Sequence, residues 1–200
     1  MRFLKVPAAN AEIEVSRIVL GTTYFGTKIT EDKSYAIIDR YAELGGNTID
    51  TARVYGDWED NGNAASERVC GNWLRGLGKD RSKFILATKG GHYRIRSRNV
   101  SRVNPEDIKT DIELSLENLN THIDIYFLHR DNPQMPVENI MPVFDEYIRS
   151  GDIRAIGASN WKRERIDEAN RFCRGNGLQP FTVSEIQWSL ARLDEANLAL

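Results

Sequence analysis

From residue 17 onward, short apolar runs alternate with longer stretches of helical period, and that alternation leaves few folds open to the chain. The runs are Ile18 to Leu20, Thr48 to Ile49, Phe84 to Ala87, Ile123 to Leu128, Arg154 to Ile156 and Val183 to Ile186. Between them the periodicity predicts helices over 31–45, 66–76, 105–119, 137–150 and 162–175. The third of these carries its own start signal: Asn104 as a cap, Pro105 where a missing N–H costs nothing, then Glu106 and Asp107 facing the positive helix end. Strands followed by amphipathic helices, again and again, form a parallel sheet covered by helices.

The runs recur at intervals of roughly 30 to 40 residues, and their order never breaks into the two halves of a dinucleotide-binding sheet. No G-x-G-x-x-G follows the first run, and Gly76 and Gly78 fall where a helix ends, which is ordinary capping. The expected fold class is therefore α/β, a (β/α)8 TIM barrel. Such barrels take about 250 residues, and two further units at this spacing would add about 60. Residues 1–200 are accordingly read as a single, incomplete barrel domain truncated after about six strands, with Asp194 to Leu200 entering the next connection. Ahead of the first run, Arg2 to Glu14 alternates polar and apolar around Ala8 to Asn10, which suggests an N-terminal β-hairpin plugging the barrel bottom.

Composition removes several function classes. A net charge of -2, with basic and acidic residues interspersed, provides no field to gather nucleic acid. No stretch approaches the roughly 20 apolar residues of a membrane span, and the first residues lack the basic and apolar regions of a secretory leader, so the cytoplasm is the expected location. Cys70 and Cys173 each sit in a helical pattern beside an aromatic residue and read as small buried side chains rather than a disulfide. Oligomeric state is not legible.

Barrel enzymes place their reactive groups at the C-terminal ends of strands. After the second run comes Asp50-Thr51-Ala52-Arg53-Val54-Tyr55-Gly56, after the third Thr88-Lys89-Gly90-Gly91, and after the fourth His129-Arg130-Asp131. Taken singly, Asp50 could cap a turn, and Tyr55 or His129 could simply pack. Lys89 is harder to explain away, because an amine at the rim of a buried strand needs a counter-charge, and Asp50 on the neighbouring strand can supply it. Together the four make sense as a proton-transfer device. A lysine ammonium beside a phenol favours the phenolate and makes Tyr55 a usable acid, Asp50 holds Lys89 charged, and His129 orients and polarises a carbonyl. No side chain supplies hydride, so the set implies a nicotinamide cofactor.

Seven blocks, in order, resemble the aldo-keto reductase family: Gly21-Thr22-Thr23; Gly45-Gly46-Asn47-Thr48-Ile49-Asp50-Thr51-Ala52 with Tyr55-Gly56; Ser66-Glu67; Thr88-Lys89; Asp124 to His129; Gly157-Ala158-Ser159-Asn160; and Glu185-Ile186-Gln187. The resemblance implies that Tyr55 is the general acid, tuned by Lys89 and Asp50, and that His129 orients substrate. It implies that Ser159, Asn160 and Gln187 hold the nicotinamide carboxamide while Gly21, Thr22, Thr23 and Asp50 lie along the cofactor ribose. The implied cofactor is NADPH (NADP) in preference to NADH (NAD). The implied partner is a small aldehyde, ketone or alcohol, met by Tyr24, Trp58 and His129. Without the resemblance, Ser159 and Asn160 read first as an N-cap for the segment beginning at Trp161, and Trp58 equally as a surface residue. The segments that would grip the pyrophosphate and adenosine phosphate come after the sixth strand, outside these 200 residues. Arg94, Arg96, Arg98 and Arg102 make the loop from His92 to Asn104 basic, read here as a solvated face. Two other functions are compatible with the residues: a Schiff-base lyase or aldolase using Lys89, and a non-catalytic NADP-binding regulatory subunit. No metal centre is expected, since no third ligand follows His129 and Asp131 at a metal spacing.

Overall fold

The computed structural model describes residues 1–60 and 62–189. Two strands open the chain, β1 (Phe3–Val6) and β2 (Ile13–Ser16), paired antiparallel with Val6 opposite Ile13. A curled parallel half-barrel follows, ordered as in the sequence: β3 (Leu20–Gly21), β4 (Thr48–Asp50), β5 (Ile85–Gly90), β6 (Ile123–Leu128), β7 (Ile153–Ser159) and β8 (Val183–Glu185). The connecting helices are α1 (Glu31–Glu43), α2 (Ala65–Gly76), α3 (Pro105–Leu119), α4 (Val137–Ile140), α5 (Asp145–Ser150) and α6 (Arg163–Asn176). Asp194 to Leu200 lie outside the described residues.

Strand parity divides the interior into two cores. Leu86, Tyr126, Leu128, Ile156 and Ala158 face the helices and join Ile108, Ile112 and Phe144 there. Ile85, Ala87, Ile125, Phe127 and Ala155 face inward and meet Val6, Ala8, Ile13 and Val15 of the hairpin, which therefore fills the space enclosed by the strands. Ala9 N–H donates to Arg154 O at 3.0 Å and ties the hairpin turn to β7. Gly157 makes a close approach possible on the same inner face, since a side chain there would collide with the Phe127 ring and the Val183 carbonyl.

Several boundaries correct the sequence expectations. Ile18 and Val19 do not form the first barrel strand; Ile18 is 66% exposed, and the strand is the two residues Leu20–Gly21 at the sheet edge. β5 and β7 run past their apolar stretches through Thr88, Lys89 and Ser159, because polar residues still make ladder bonds, Lys89 and Ser159 facing the mouth and Thr88 facing Glu67 of α2. The helix expected over 137–150 is interrupted by a 3-10 turn at Met141–Phe144, where Pro142 removes a helical donor. Helix α3 begins as expected: the Asn104 side chain accepts from Asp107 N at 3.0 Å. Arg102 is not a solvated loop arginine, being bound at 2.5 Å to both Asp107 and Asp111 of α3. Cys70 and Cys173 are buried free thiols.

Asp124, at the start of β6, is fully buried and accepts from Leu86 N–H at 2.9 Å, Arg81 at 3.0 Å and Arg154 at 2.5 Å. Burial raises its pKa, but His122, Arg81 and the Leu86 N–H outweigh burial and bring it down to about 2. A carboxylate lowered by folding stabilises the native state above its ordinary pKa and loses that contribution as pH falls toward the lowered value, here between about pH 4 and 2. The shift corresponds to about 2 kcal/mol at neutral pH. Asp124→Asn should therefore lower the urea midpoint clearly at pH 7 and by only about half as much at pH 3; an equal deficit at both would show that charge is not the cause.

Candidate active site

The inner-face parity that buries Ile85 and Ala87 brings Lys89 to the same side, two residues higher. In register, Gly21 pairs with Asp50, Asp50 with Ala87, Lys89 with Phe127, Phe127 with Gly157, Gly157 with Val183 and Ser159 with Glu185. Gly21, Asp50, Lys89, Ser159 and Glu185 thus share one face at the C-terminal mouth, and His129 continues the inward set of Ile125 and Phe127. Polar groups dominate the top layers of this face, while lower down it is apolar apart from Thr48, whose hydroxyl accepts from Ser16 N–H of the hairpin.

Tyr55 reaches this mouth because the segment after β4 keeps bonding to β5: Thr51 N–H donates to Ala87 O and Arg53 N–H to Lys89 O, both at 2.9 Å. The chain then turns at Gly56, whose φ of +106° and tight contacts with the Gly62 carbonyl and Ala65 exclude a side chain. Asp57 secures the loop through Arg53 at 3.2 Å and Ala64 N–H at 3.0 Å.

At the centre, the buried Lys89 amine donates to Asp50 Oδ1 at 2.5 Å, Asp50 Oδ2 at 2.6 Å and Thr51 O at 3.1 Å. It stands 5.4 Å from the centre of the Tyr55 ring and 6.0 Å from that of Phe127. Burial works against the charge on Lys89, yet Asp50, Tyr55 and Glu185 together hold its pKa above the ordinary lysine value. Burial raises Asp50 while Lys89 opposes that rise. The lysine decides the state of the pair, since two carboxylate oxygens in contact keep the proton on nitrogen.

His129 meets Tyr55 edge-on, ring centres 5.9 Å apart. Burial, then Lys89, His92 and Arg130, drive its pKa well below the usual imidazole value, so the ring is neutral at pH 7. Its Nδ1 is buried without a hydrogen-bond partner among the described residues. His92, not singled out from the sequence, packs 4.7 Å from His129; its Nδ1 donates to Tyr93 O at 2.8 Å and its Nε2 accepts from Arg130 at 3.2 Å. Trp58 lies 6.4 Å from Tyr55 and 6.1 Å from Tyr24, so these rings form an aromatic wall beside the tetrad.

The remaining sequence candidates fall into two clusters. Ser159 is buried and accepts from the Asn160 side chain at 3.2 Å, Asn160 N–H donates to Glu185 O at 2.8 Å, and Gln187 N–H donates to Asn160 Oδ1 at 2.6 Å. Neither Ser159 nor Asn160 is the helix cap, because α6 starts at Arg163 with Lys162 in that position. On the opposite side, Gly21 and Thr23 lie at the rim, whereas the buried Thr22 hydroxyl is turned inward to Asp50 O at 2.8 Å and Ser66 at 2.7 Å. Open space above Gly21 and the donor and acceptor groups around Asn160 fit a nicotinamide carboxamide and ribose laid across the mouth. Glu185 was quoted from the sequence only as part of a block; the signal that it belongs to the site is its position at a strand end, like Asp50. A cleft of about 570 Å³ runs past Gly90 between Arg53, His92, Arg94 and Asp111, beside the tetrad rather than over it.

The aldo/keto reductase family profile matches residues 17–199. The chain is 29% identical over 198 residues to norsolorinic acid reductase B of Aspergillus parasiticus, covering 92% of this chain and 50% of that protein. It is 30% identical over 199 residues to norsolorinic acid reductase stcV of Emericella nidulans, covering 92% and 49%. With aldo-keto reductase YhdN of Bacillus subtilis the identity is 34% over 177 residues, covering 86% and 51%. The chain spans about half the length of these curated relatives. The match across nearly its whole length, together with the parallel half-barrel, shows that the chain belongs to the aldo/keto reductase family.

Proposed function

We propose that this chain carries the proton-transfer half of an NADPH-dependent carbonyl reductase, within one barrel domain, acting on aldehydes or ketones or on the corresponding alcohols in reverse. The observation that supports this most directly is the Lys89 amine, paired with Asp50 and lying under the Tyr55 ring, with His129 against the same ring. Tyr55 gives its O–H proton to the substrate oxygen, and the Lys89 ammonium stabilises the phenolate left behind. Asp50 keeps that amine protonated and aimed. Neutral His129 supplies an N–H donor to the same oxygen, holding it within reach of Tyr55. A bound reduced nicotinamide would supply the hydride, with Ser159, Asn160 and Gln187 holding its carboxamide and Gly21, Thr23 and Asp50 along the ribose; Thr22, fully buried and bonded to Asp50 O and Ser66, supports that wall from behind and does not touch the ribose as the sequence implied.

The aromatic wall of Tyr24, Trp58 and Tyr55 favours a flat, apolar carbonyl compound over a highly hydroxylated one. The Schiff-base alternative is disfavoured by the state of Lys89, since a buried amine held protonated by carboxylates is not a nucleophile. In the intact protein, NADPH consumption with an aryl aldehyde tests the reading; cofactor binding without turnover of any carbonyl would favour a regulatory role instead. The same assay checks His129: reduction should show no acid limb between pH 6 and 8, because its imidazole is already neutral there. A limb near the ordinary histidine value that vanishes in His129→Gln would contradict this.

A further inference from the structure

Lys89 has more anionic partners than the proposed proton transfer requires. Besides both oxygens of Asp50, Glu185 of β8 brings Oε2 to 3.5 Å from the amine. Glu185 is fixed at the backbone, pairing with Ser159 in register and accepting from Asn160 N–H at 2.8 Å. Its side chain is 42% exposed, so the carboxylate stands at the wall of the mouth and not beneath it. The groups facing Lys89 are Asp50 from β4, Tyr55 from the following loop and Glu185 from β8; His129, at the end of β6, feels Lys89, His92 and Arg130. With Lys89 and both carboxylates ionised, this cluster already carries one net negative charge while Tyr55 is a neutral phenol.

We propose that Glu185 is a positioning residue that biases the site toward reduction, by drawing on the Lys89 ammonium and so weakening its hold on the Tyr55 phenolate. This rests on Tyr55 being the proton donor. A second carboxylate 3.5 Å from the ammonium offsets part of the field felt by the phenolate oxygen, so the phenolate is stabilised less than by Lys89 and Asp50 alone. In reduction the Tyr55 O–H bond breaks as the substrate O–H bond forms, solvent reprotonates the phenolate, and the hydride that makes the C–H bond would come from a bound reduced nicotinamide. The reverse reaction needs the phenolate first. Glu185 therefore leaves the overall equilibrium untouched but widens the pH range of reduction and pushes oxidation to higher pH. Burial raises Glu185's own pKa, with Lys89 opposing and Asp50 adding to the rise, so this charge is lost earlier on acidification than an ordinary glutamate's.

The test uses Glu185→Gln and Glu185→Asp in the intact protein, reading Tyr55 ionisation as the tyrosinate absorbance that disappears when Tyr55→Phe is added to each. In Glu185→Gln the Tyr55 signal should appear about one pH unit lower than in the parent, and the alkaline limb of reduction should move with it while KM stays put. Glu185→Asp, which keeps the charge and withdraws it by one methylene, should move the signal the same way by less than half as much. An unchanged Tyr55 titration in Glu185→Gln overturns the proposal, as does an equal shift in both variants. Failure of the underlying reading looks different: the parent carrying Tyr55→Phe would then still reduce carbonyls, whatever the titrations show.

Discussion

Tyr55→Phe should lower kcat for carbonyl reduction by about 10² to 10⁴ while leaving NADPH affinity unchanged. The substitution deletes one oxygen and keeps the ring, so the edge-on contact with His129 and the packing with Trp58 survive. Only the proton donor is lost. Water can still protonate the developing alkoxide, and Lys89 and His129 still polarise the mouth, which is why activity falls steeply without vanishing. The check is steady-state kinetics alongside NADPH binding by fluorescence. Turnover within a few-fold of the parent would remove Tyr55 from the chemistry.

Lys89→Met should act on stability and activity together. The amine is buried with two carboxylates on it, and deleting one partner of a buried pair costs about 3 to 5 kcal/mol because the other is left uncompensated. Asp50 retains 18% side-chain exposure and Glu185 more, so water takes up part of the deficit and the lower end of that range is expected. Adding Asp50→Asn to Lys89→Met should restore much of the lost stability and none of the activity. Urea denaturation of the two single variants and the double variant measures this directly. If the double variant is no more stable than Lys89→Met alone, lost packing rather than orphaned charge is responsible.

The contrast between these residues and their surroundings explains what the sequence revealed. β6 was legible to the residue because Ile123–Leu128 is apolar on both faces except at the buried Asp124, and α3 because Asn104 and Pro105 mark its start. β5 and β7 were read short at their C-terminal ends, since apolar pattern stops where polar groups line the mouth although the ladder continues. Ile18 and Val19 misled in the opposite sense, being apolar yet exposed at the sheet margin. Asp50, Tyr55, Lys89 and His129 could be placed from strand ends alone. Glu185 also ends its strand, but its approach to Lys89 is not written there, because it depends on how far the sheet curls, a quantity set by packing against the hairpin and absent from any local pattern. His92 escaped notice for a similar reason: a loop path, not a period, sets it beside His129.

Alternating side-chain direction has a consequence for how such a chain can change over generations. Adding or deleting one residue within β5 ahead of Lys89 would turn the amine toward the helices and deliver Leu86 or Thr88 to the catalytic side, exchanging two surfaces in one step. A single residue gained or lost in these short segments is thus costly unless a bulge absorbs it, while length changes in the rim loops leave the register intact. Innovation in substrate choice is channelled into the loops by the geometry of the pleat itself.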